Sequence, residues 1–145
     1  MTRGIEFRGF DGTKWYYGDL KYNRKVDVAV IHIYEKDGSY YRQYTVDPDT
    51  VGQFTGMTDK HGRKIYEGDI VKTQISKNFL GIVTWHTDGY FFFDTSNGEW
   101  KRWADGYRPI GEMLRLRCDG KFFEFAVGGN IHNNPELSDK KEIAL

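Results

Sequence analysis

Apolar and polar side chains alternate along several short stretches of the chain, which is typical of β-strands with one buried face. In the stretch 40–45, for example, Tyr40, Arg42 and Tyr44 would share one face of a strand. The stretches are rich in Val, Ile, Tyr, Phe and Trp, and aromatic residues make up 17% of the chain. Because large rings favour strands and bury much area each, the pattern predicts a mainly β fold.

Asp-Gly dipeptides separate most of these stretches. Asp-Gly suits a two-residue type I′ turn because both central residues of that turn need positive φ. Four of the five dipeptides lie between strand-like stretches and predict hairpins, whereas the flanks of Asp105-Gly106 are short and interrupted by Pro109. The dipeptides are Asp11-Gly12, Asp37-Gly38, Asp88-Gly89, Asp105-Gly106 and Asp119-Gly120.

The segment 46–60 is rich in turn-forming residues and has no period, so we expect it to separate two β units. We assign residues 1–50 to an N-terminal β-hairpin subdomain and residues 51–134 to a second β subdomain, within one compact structural unit. The sequence Asn-Pro-Glu at 134–136 is typical of a helix start. Residues 135–145 are therefore predicted to form a short C-terminal helix or a tail.

The second subdomain has the sequence features of a small SH3-like barrel. In such barrels a diverging turn ending in Gly-Asp begins the first strand, and Gly68-Asp69 followed by Ile70-Val71 has that form. Gly68 can take positive φ, and the Asp69 side chain can accept backbone N–H groups of the turn. We therefore predict an N-terminal β unit packed on an SH3-like barrel, with structural roles for Gly68 and Asp69.

Charge and cysteine content limit the classes of function. Lys plus Arg and Asp plus Glu both number 21, and this zero net charge gives no electrostatic support for nucleic-acid or membrane binding. Cys118 is the only cysteine, which excludes an intrachain disulfide and favours a reducing compartment. The sequence has no apolar run of about 20 residues that could span a bilayer, and no apolar signal core. We expect a cytoplasmic protein.

No pattern in the sequence predicts a catalytic site. Nucleotide-binding glycine motifs and the Gly-x-Ser-x-Gly elbow are absent from it. The nearest approach to a metal site is His86, Asp88 and His132, in the order of a 2-His-1-carboxylate iron centre. A turn role for Asp88 and a loop role for His132 explain these residues more simply. We therefore expect no catalytic residues, metal or cofactor, and rank a small metal-dependent enzyme last.

One candidate binding surface combines aromatic and basic residues. Aromatic rings stack on bases or on partner side chains, and arginines contact phosphates or acidic groups. The alternative is that the two tryptophans of this stretch fill the core. The candidate residues are Trp100, Lys101, Arg102, Trp103 and Arg108.

A second candidate surface lies at the four consecutive aromatic residues 90–93. They would place large rings on both faces of one strand, whereas a small barrel has only one interior. Either another subunit or the N-terminal β unit of the same chain would cover the second face. Because no net charge keeps copies apart, we expect a homo-oligomer. The candidate interface residues are Tyr90, Phe92, Phe122 and Phe123.

Three blocks of the sequence resemble the YopX family of phage and prophage proteins. The central block is VGQFTGMTDKHGRKIYEGDIV at 51–71; FRG at 7–9 and WYYGDL at 15–20 resemble the family's opening, and VGGNIHNNPEL at 127–137 resembles its closing motif. The resemblance implies a phage-associated bacterial protein without an established biochemical activity. It supplies no catalytic residues.

The resemblance implies an accessory protein of a phage or prophage, and the residue patterns predict that it is not an enzyme and that it binds or oligomerises through its β units. It would work in the cytoplasm of the bacterial host, with an unknown phage or host protein as partner and without contact to a membrane. An SH3-like module that binds nucleic acid is the alternative, although the net charge gives it no support.

Overall fold

The computed structural model describes residues 4–38, 41–73, 81–86, 90–94, 107–109, 117–118, 121–122 and 125–138. This part of the chain is mainly β, with two larger antiparallel sheets and a small two-stranded one. The fold class predicted from the alternating pattern is therefore confirmed. Within the described ranges, no helix has the length and apolar character needed to cross a membrane.

Most strands are short, and the two helices among the described residues have one turn each. The strands are β1 (Phe7–Phe10), β2 (Trp15–Asn23), β3 (Val28–Tyr34), β4 (Tyr41–Val46), β5 (Gly52–Thr58), β6 (Lys64–Tyr66), β7 (Asp69–Thr73), β8 (Gly81–His86), β9 (Tyr90–Asp94), β10 (Tyr107–Pro109), β11 (Arg117–Cys118), β12 (Lys121–Phe122) and β13 (Phe125–Asn130). The helices are a 3-10 turn, η1 (Pro48–Thr50), and α1 (Pro135–Ser138).

The chain divides into two compact units, Met1–Gly56 and Met57–Leu145. The boundary predicted from the sequence falls after residue 50, within the segment 46–60. No strand was predicted in that segment, which contains β5. β5 pairs with β1, where Phe7 lies opposite Gln53. The two glycines of β5 give this segment little intrinsic preference for strand conformation. Its long-range pairing with β1 therefore makes it a strand.

In the first unit the strands follow the order β4-β3-β2-β1-β5. One face of this sheet forms the core, because the cross-strand pairs Ala29–Val46 and Leu20–Ile31 lie on it. Ala29, Ile31 and Val46 are buried, and Leu20 and Phe7 pack against them. The burial of alternate residues in β3 is the pattern that the sequence predicts for a strand with one core face.

The sheet of the first unit curls so that the end of β4 meets β1. The backbone N–H of Asp47 donates to the carbonyl oxygen of Phe10 at 2.8 Å, and the N–H of Phe10 donates to Oγ1 of Thr50 at 2.8 Å. A Cβ added to Gly9 would lie 2.9 Å from Cβ of Val46. The curl can be this tight because position 9 has no side chain.

Two of the five Asp-Gly dipeptides fall in the described residues, and both form turns between strands. Gly12 has a φ of +100° and Gly38 a φ of +72°. Oδ1 of Asp11 accepts the backbone N–H groups of Lys14 and Thr13, both at 2.7 Å. These two donors lower the pKa of the Asp11 carboxyl. The other three dipeptides lie outside the described residues.

In the second unit the larger sheet has the order β10-β9-β8-β7-β13, and every neighbouring pair is antiparallel. Ile70 and Val71 are consecutive in β7 and both are buried, so both faces of this strand are covered. Val83 of β8 is also buried, as are Ile65 and Tyr66 of β6. β11 and β12 pair as a separate two-stranded sheet.

Candidate functional site

The turn at Gly68 and Asp69 begins strand β7. Gly68 has a φ of +90°, and its N–H donates to the carbonyl oxygen of Val83 at 2.8 Å. Its own carbonyl oxygen accepts the N–H of Ile131 at 3.0 Å. Asp69 is buried, and its Oδ2 accepts the N–H of Tyr66 at 2.8 Å. The two residues thus join the start of β7 to β8 and to the turn that follows β13.

A second turn of the central block is organised by Asp59. Its carboxylate is buried and accepts three backbone N–H groups, those of His61 and Arg63 at 2.9 Å and that of Val127 at 3.0 Å. Burial raises the pKa of Asp59, but the donors Val127, Arg63 and His61 together outweigh burial, and the pKa lies below its ordinary value of 3.8. Asp59 therefore holds its own turn and joins it to β13.

The closing motif folds into a turn around Asn130. Its Oδ1 accepts the N–H groups of His132 at 3.0 Å and Asn133 at 2.9 Å, and its own N–H donates to Oδ1 of Asn134 at 3.2 Å. Gly129 has a φ of +152°, and a Cβ there would lie 2.9 Å from Cγ of Asn134. The side-chain oxygens of Asn130 and Asn134 accept backbone N–H groups, and Oδ1 of Asn133 accepts the side-chain amide of Asn130, so the asparagines of the motif have a structural role.

These turns show what the central and closing blocks do for the fold. Hydrogen bonds from Val127 to Asp59 and from Ile131 to Gly68 bring residues of the two sequence blocks together in the second unit. The carboxylate of Asp59 is occupied by backbone donors that favour its charged form. A carboxylate held in this way is a poor general acid or base near neutral pH, so the arrangement is structural.

The three residues that approach the pattern of a metal centre in the sequence are only partly described by the structure. His86 ends β8 and lies opposite Tyr90, while Asp88 lies outside the described residues. His132 lies in the turn after β13, where its backbone N–H donates to Asn130. In the part of the chain that the structure describes, no group of three or more His, Cys, Asp or Glu side chains could hold a metal ion.

The predicted aromatic-basic surface falls almost wholly outside the described residues. Only Arg108 belongs to a described strand, β10, where it lies opposite Phe93. The remaining four candidates, Trp100, Lys101, Arg102 and Trp103, are among the residues that the structure does not describe.

Part of the predicted oligomer interface lies on strand β9. This strand is paired on both sides, with β8 and with β10. Phe92 lies opposite Thr84 on one side and Pro109 on the other, and Tyr90 lies opposite His86. Four consecutive aromatic positions therefore occupy an inner strand of the sheet.

Of the remaining two interface candidates, one belongs to the small two-stranded sheet. Phe122 is in β12, opposite Arg117, and Phe123 lies outside the described residues.

Sequence reasoning missed a cluster of exposed tyrosines in the first unit. Tyr17, Tyr34 and Tyr41 are 42%, 56% and 52% exposed. Tyr34 and Tyr41 are opposite each other in register, with ring centroids 5.5 Å apart. The alternation of β2 is only a weak signal of this face, because its adjacent tyrosines at positions 16 and 17 place a ring on each side of the strand.

Replacing Gly68 by alanine should lower the free energy of unfolding by about 1 kcal/mol or more, because a φ of +90° strains a residue with a Cβ. Urea denaturation of the variant and the wild type measures the loss. Gly4→Ala is the matched control, since a Cβ there meets only Phe54 at 3.9 Å. A Gly68→Ala protein as stable as the wild type would contradict the role given to this turn.

Comparison with known proteins assigns the family. No curated protein matches the chain. The crystal structure of protein EF1440 from Enterococcus faecalis is similar, with a TM-score of 0.55 and 20% identity over 94% of this chain and 99% of that chain. At this identity the likeness shows a shared fold. The family model described as "YopX protein" matches residues 6–139, nearly the whole chain. The chain therefore belongs to the YopX family.

Proposed function

We propose that the chain is a phage or prophage accessory protein that acts in the host cytoplasm by binding proteins, including copies of itself, and not by catalysis. The turns of the family motif support this proposal, because Asp59, Asp69 and Asn130 direct their oxygens to backbone N–H groups. These side-chain oxygens stabilise the fold of the second unit. The function is therefore expected to depend on the surfaces of that unit. The single cysteine of the chain is compatible with a reducing compartment.

The strand order of the second unit favours an SH3-like barrel. β7, β8, β9 and β10 pair in sequence, and the last strand, β13, returns to pair with β7. A small barrel of the SH3 type has this order, and Gly68-Asp69 begins its first strand. In β13 the register shifts between Val127 and Gly129, which is a bulge of the kind that bends a strand around a barrel.

The register of β9 carries the proposal of self-association. Phe93 lies opposite Val83, which is buried, so the face of Val83 is the core face. Phe92 lies opposite Thr84, and therefore on the other face. Ile70, which lies opposite Ile82 on this second side of the sheet, is already buried within the chain, and a closed symmetric oligomer would extend that cover to β9. The zero net charge adds no long-range repulsion between copies.

Phe92→Glu is expected to dissociate the oligomer without unfolding the subunit, because a buried unpaired carboxylate opposes association. Light scattering after size exclusion should give a multiple of 17.0 kDa for the wild type and a lower mass for the variant. Thr13→Glu, at an exposed position of the first unit, is the control for added charge. A wild-type mass of 17.0 kDa at all concentrations would rule out a stable assembly, and loss of the fold would place Phe92 in the core.

A further inference from the structure

The exposed tyrosines of the first unit form a row across adjacent strands. Tyr34 of β3 lies opposite Tyr41 of β4. Asp19 of β2 lies opposite His32 of β3, and Tyr17 and Tyr34 are each two residues from that pair, towards the same end of the sheet. The three tyrosines therefore lie side by side on one face of β2, β3 and β4, which we call the tyrosine face.

The tyrosine face is the side of the sheet opposite the core. The core face carries Leu20, Ile31 and Tyr44, which lie opposite one another in β2, β3 and β4. Because side chains of a strand alternate, the residues on either side of these three belong to the tyrosine face. The first unit thus buries one face in its own core and presents three half-exposed rings on the other.

We propose that a second copy of this chain covers the tyrosine face, with the two sheets packed face to face about a two-fold axis. The charges of the face are self-complementary, as such an interface requires. Asp19 and Lys21 are exposed residues of opposite charge on the same face of β2. The two-fold axis would lie between the two sheets, perpendicular to the strands and at the level of Leu20. It would place Asp19 of each copy over Lys21 of the other.

The same axis pairs the apolar residues of the face. Tyr34 and Val28 are at equal distances along β3 on either side of Ile31, so the axis places each tyrosine over the valine of the second copy. Val28 is 37% exposed, which leaves apolar area for the ring to cover. His32 and Val30 are related in the same way. Each contact occurs twice, as in the isologous packing of two sheets about 10 Å apart.

The charge of the first unit favours a second copy over a nucleic acid. Between residues 4 and 56 the sequence has seven basic and eight acidic residues, and the charges of Asp19 and Lys21 on the face cancel. Nucleic acids bind surfaces with an excess of basic side chains, which neutralise phosphates. A nearly neutral face with one charge of each sign fits a copy of itself.

The size of the face predicts a weak contact. Three strands spaced about 4.8 Å apart, each about seven residues long, span roughly 15 Å by 23 Å. This footprint, on the order of 300 Å², is below the roughly 800 Å² per partner of a standard stable interface. Association through the tyrosine face should therefore be visible only at high protein concentration, with a dissociation constant in the micromolar range or above.

Sedimentation equilibrium of the full chain tests the contact, in a Phe92→Glu background that removes the interface proposed on β9. We expect the average mass of this protein to rise from 17.0 kDa towards twice that value with concentration. Asp19→Lys, which opposes two lysines, should weaken this association at least tenfold. The exchange Asp19→Lys with Lys21→Asp should restore it, because the two-fold pairing of opposite charges returns.

The outcomes separate this contact from the proposed function. A Phe92→Glu protein that stays at 17.0 kDa at the highest concentration overturns the tyrosine-face contact, as does an Asp19→Lys variant that associates like its parent. A Phe92→Glu protein with the same mass as the wild type overturns the β9 interface instead. Circular dichroism of every variant confirms that the subunit is folded, since Asp19 and Lys21 are exposed and do not contribute to the core.

Discussion

Replacing Gly18 by alanine is expected to lower the free energy of unfolding by about 3 kcal/mol, the upper part of the range for overpacked sites. A Cβ at this position would overlap the carbonyl oxygen of His32 and lie 3.0 Å from its carbonyl carbon. That carbonyl belongs to the backbone of β3, so it cannot rotate away as a side chain can. The pairing of β2 with β3 must shift to admit the methyl group. Urea denaturation followed by circular dichroism measures the loss.

Gly38→Ala is the matched control for this change. Gly38 has a φ of +72° in an exposed turn, and a Cβ there would meet nothing within 4 Å. This substitution should therefore cost only the backbone strain of a positive φ, about 1 kcal/mol. If Gly18→Ala is no more destabilising than Gly38→Ala, the close approach of β2 to the β3 carbonyl is not present in solution.

Local signals in the sequence were sufficient for the fold class and for turns such as those at Gly12 and Gly38. Alternating residues and Asp-Gly dipeptides act over a few residues, so one sequence is enough to recognise them. Strand β5 was missed because its pairing partner, β1, is more than 40 residues away along the chain. The same distance effect hid the bond from Val127 to Asp59, which joins residues 68 positions apart.

The alternation along the chain was also too weak a signal to predict which face of the first unit is exposed. In β2, Tyr16 stacks on Tyr44 on the core side, whereas its neighbour Tyr17 is on the exposed side. Both are tyrosines, so composition cannot distinguish the two faces. Asp19 and Lys21 are the polar residues that mark the exposed side, and two alternating polar positions in one strand give only a weak signal. The pairing of β2 with β1 and β3 determines which face is covered.

Asp59→Ala is expected to lower the free energy of unfolding by about 3 kcal/mol, because the three backbone N–H groups it accepts would lose their acceptor. The N–H of Val127 is the most important of these, since it joins the Asp59 turn to β13. Asp59→Asn is the matched control. Asparagine keeps the shape and one acceptor oxygen but replaces the other oxygen with a donor. The free energy of unfolding should therefore fall less in Asp59→Asn than in Asp59→Ala. Equal stability of Asp59→Ala and the wild type would contradict this role.

The pH dependence of the Asp59→Asn difference gives a second test of the same carboxylate. Because the pKa of Asp59 in the folded protein lies below its ordinary value of 3.8, the unfolded chain takes up the proton first as the pH falls. The stability that the charged carboxylate contributes is therefore complete above about pH 5 and is lost as the pH falls through the folded pKa. The stability difference between wild type and Asp59→Asn should shrink from about pH 5 towards about pH 2. The pKa of Asp11 is also lowered, but Asp11 is present in both proteins, so its contribution to the pH dependence cancels in the difference. A difference that stays constant over this interval would mean that the Asp59 carboxylate is not held by these donors.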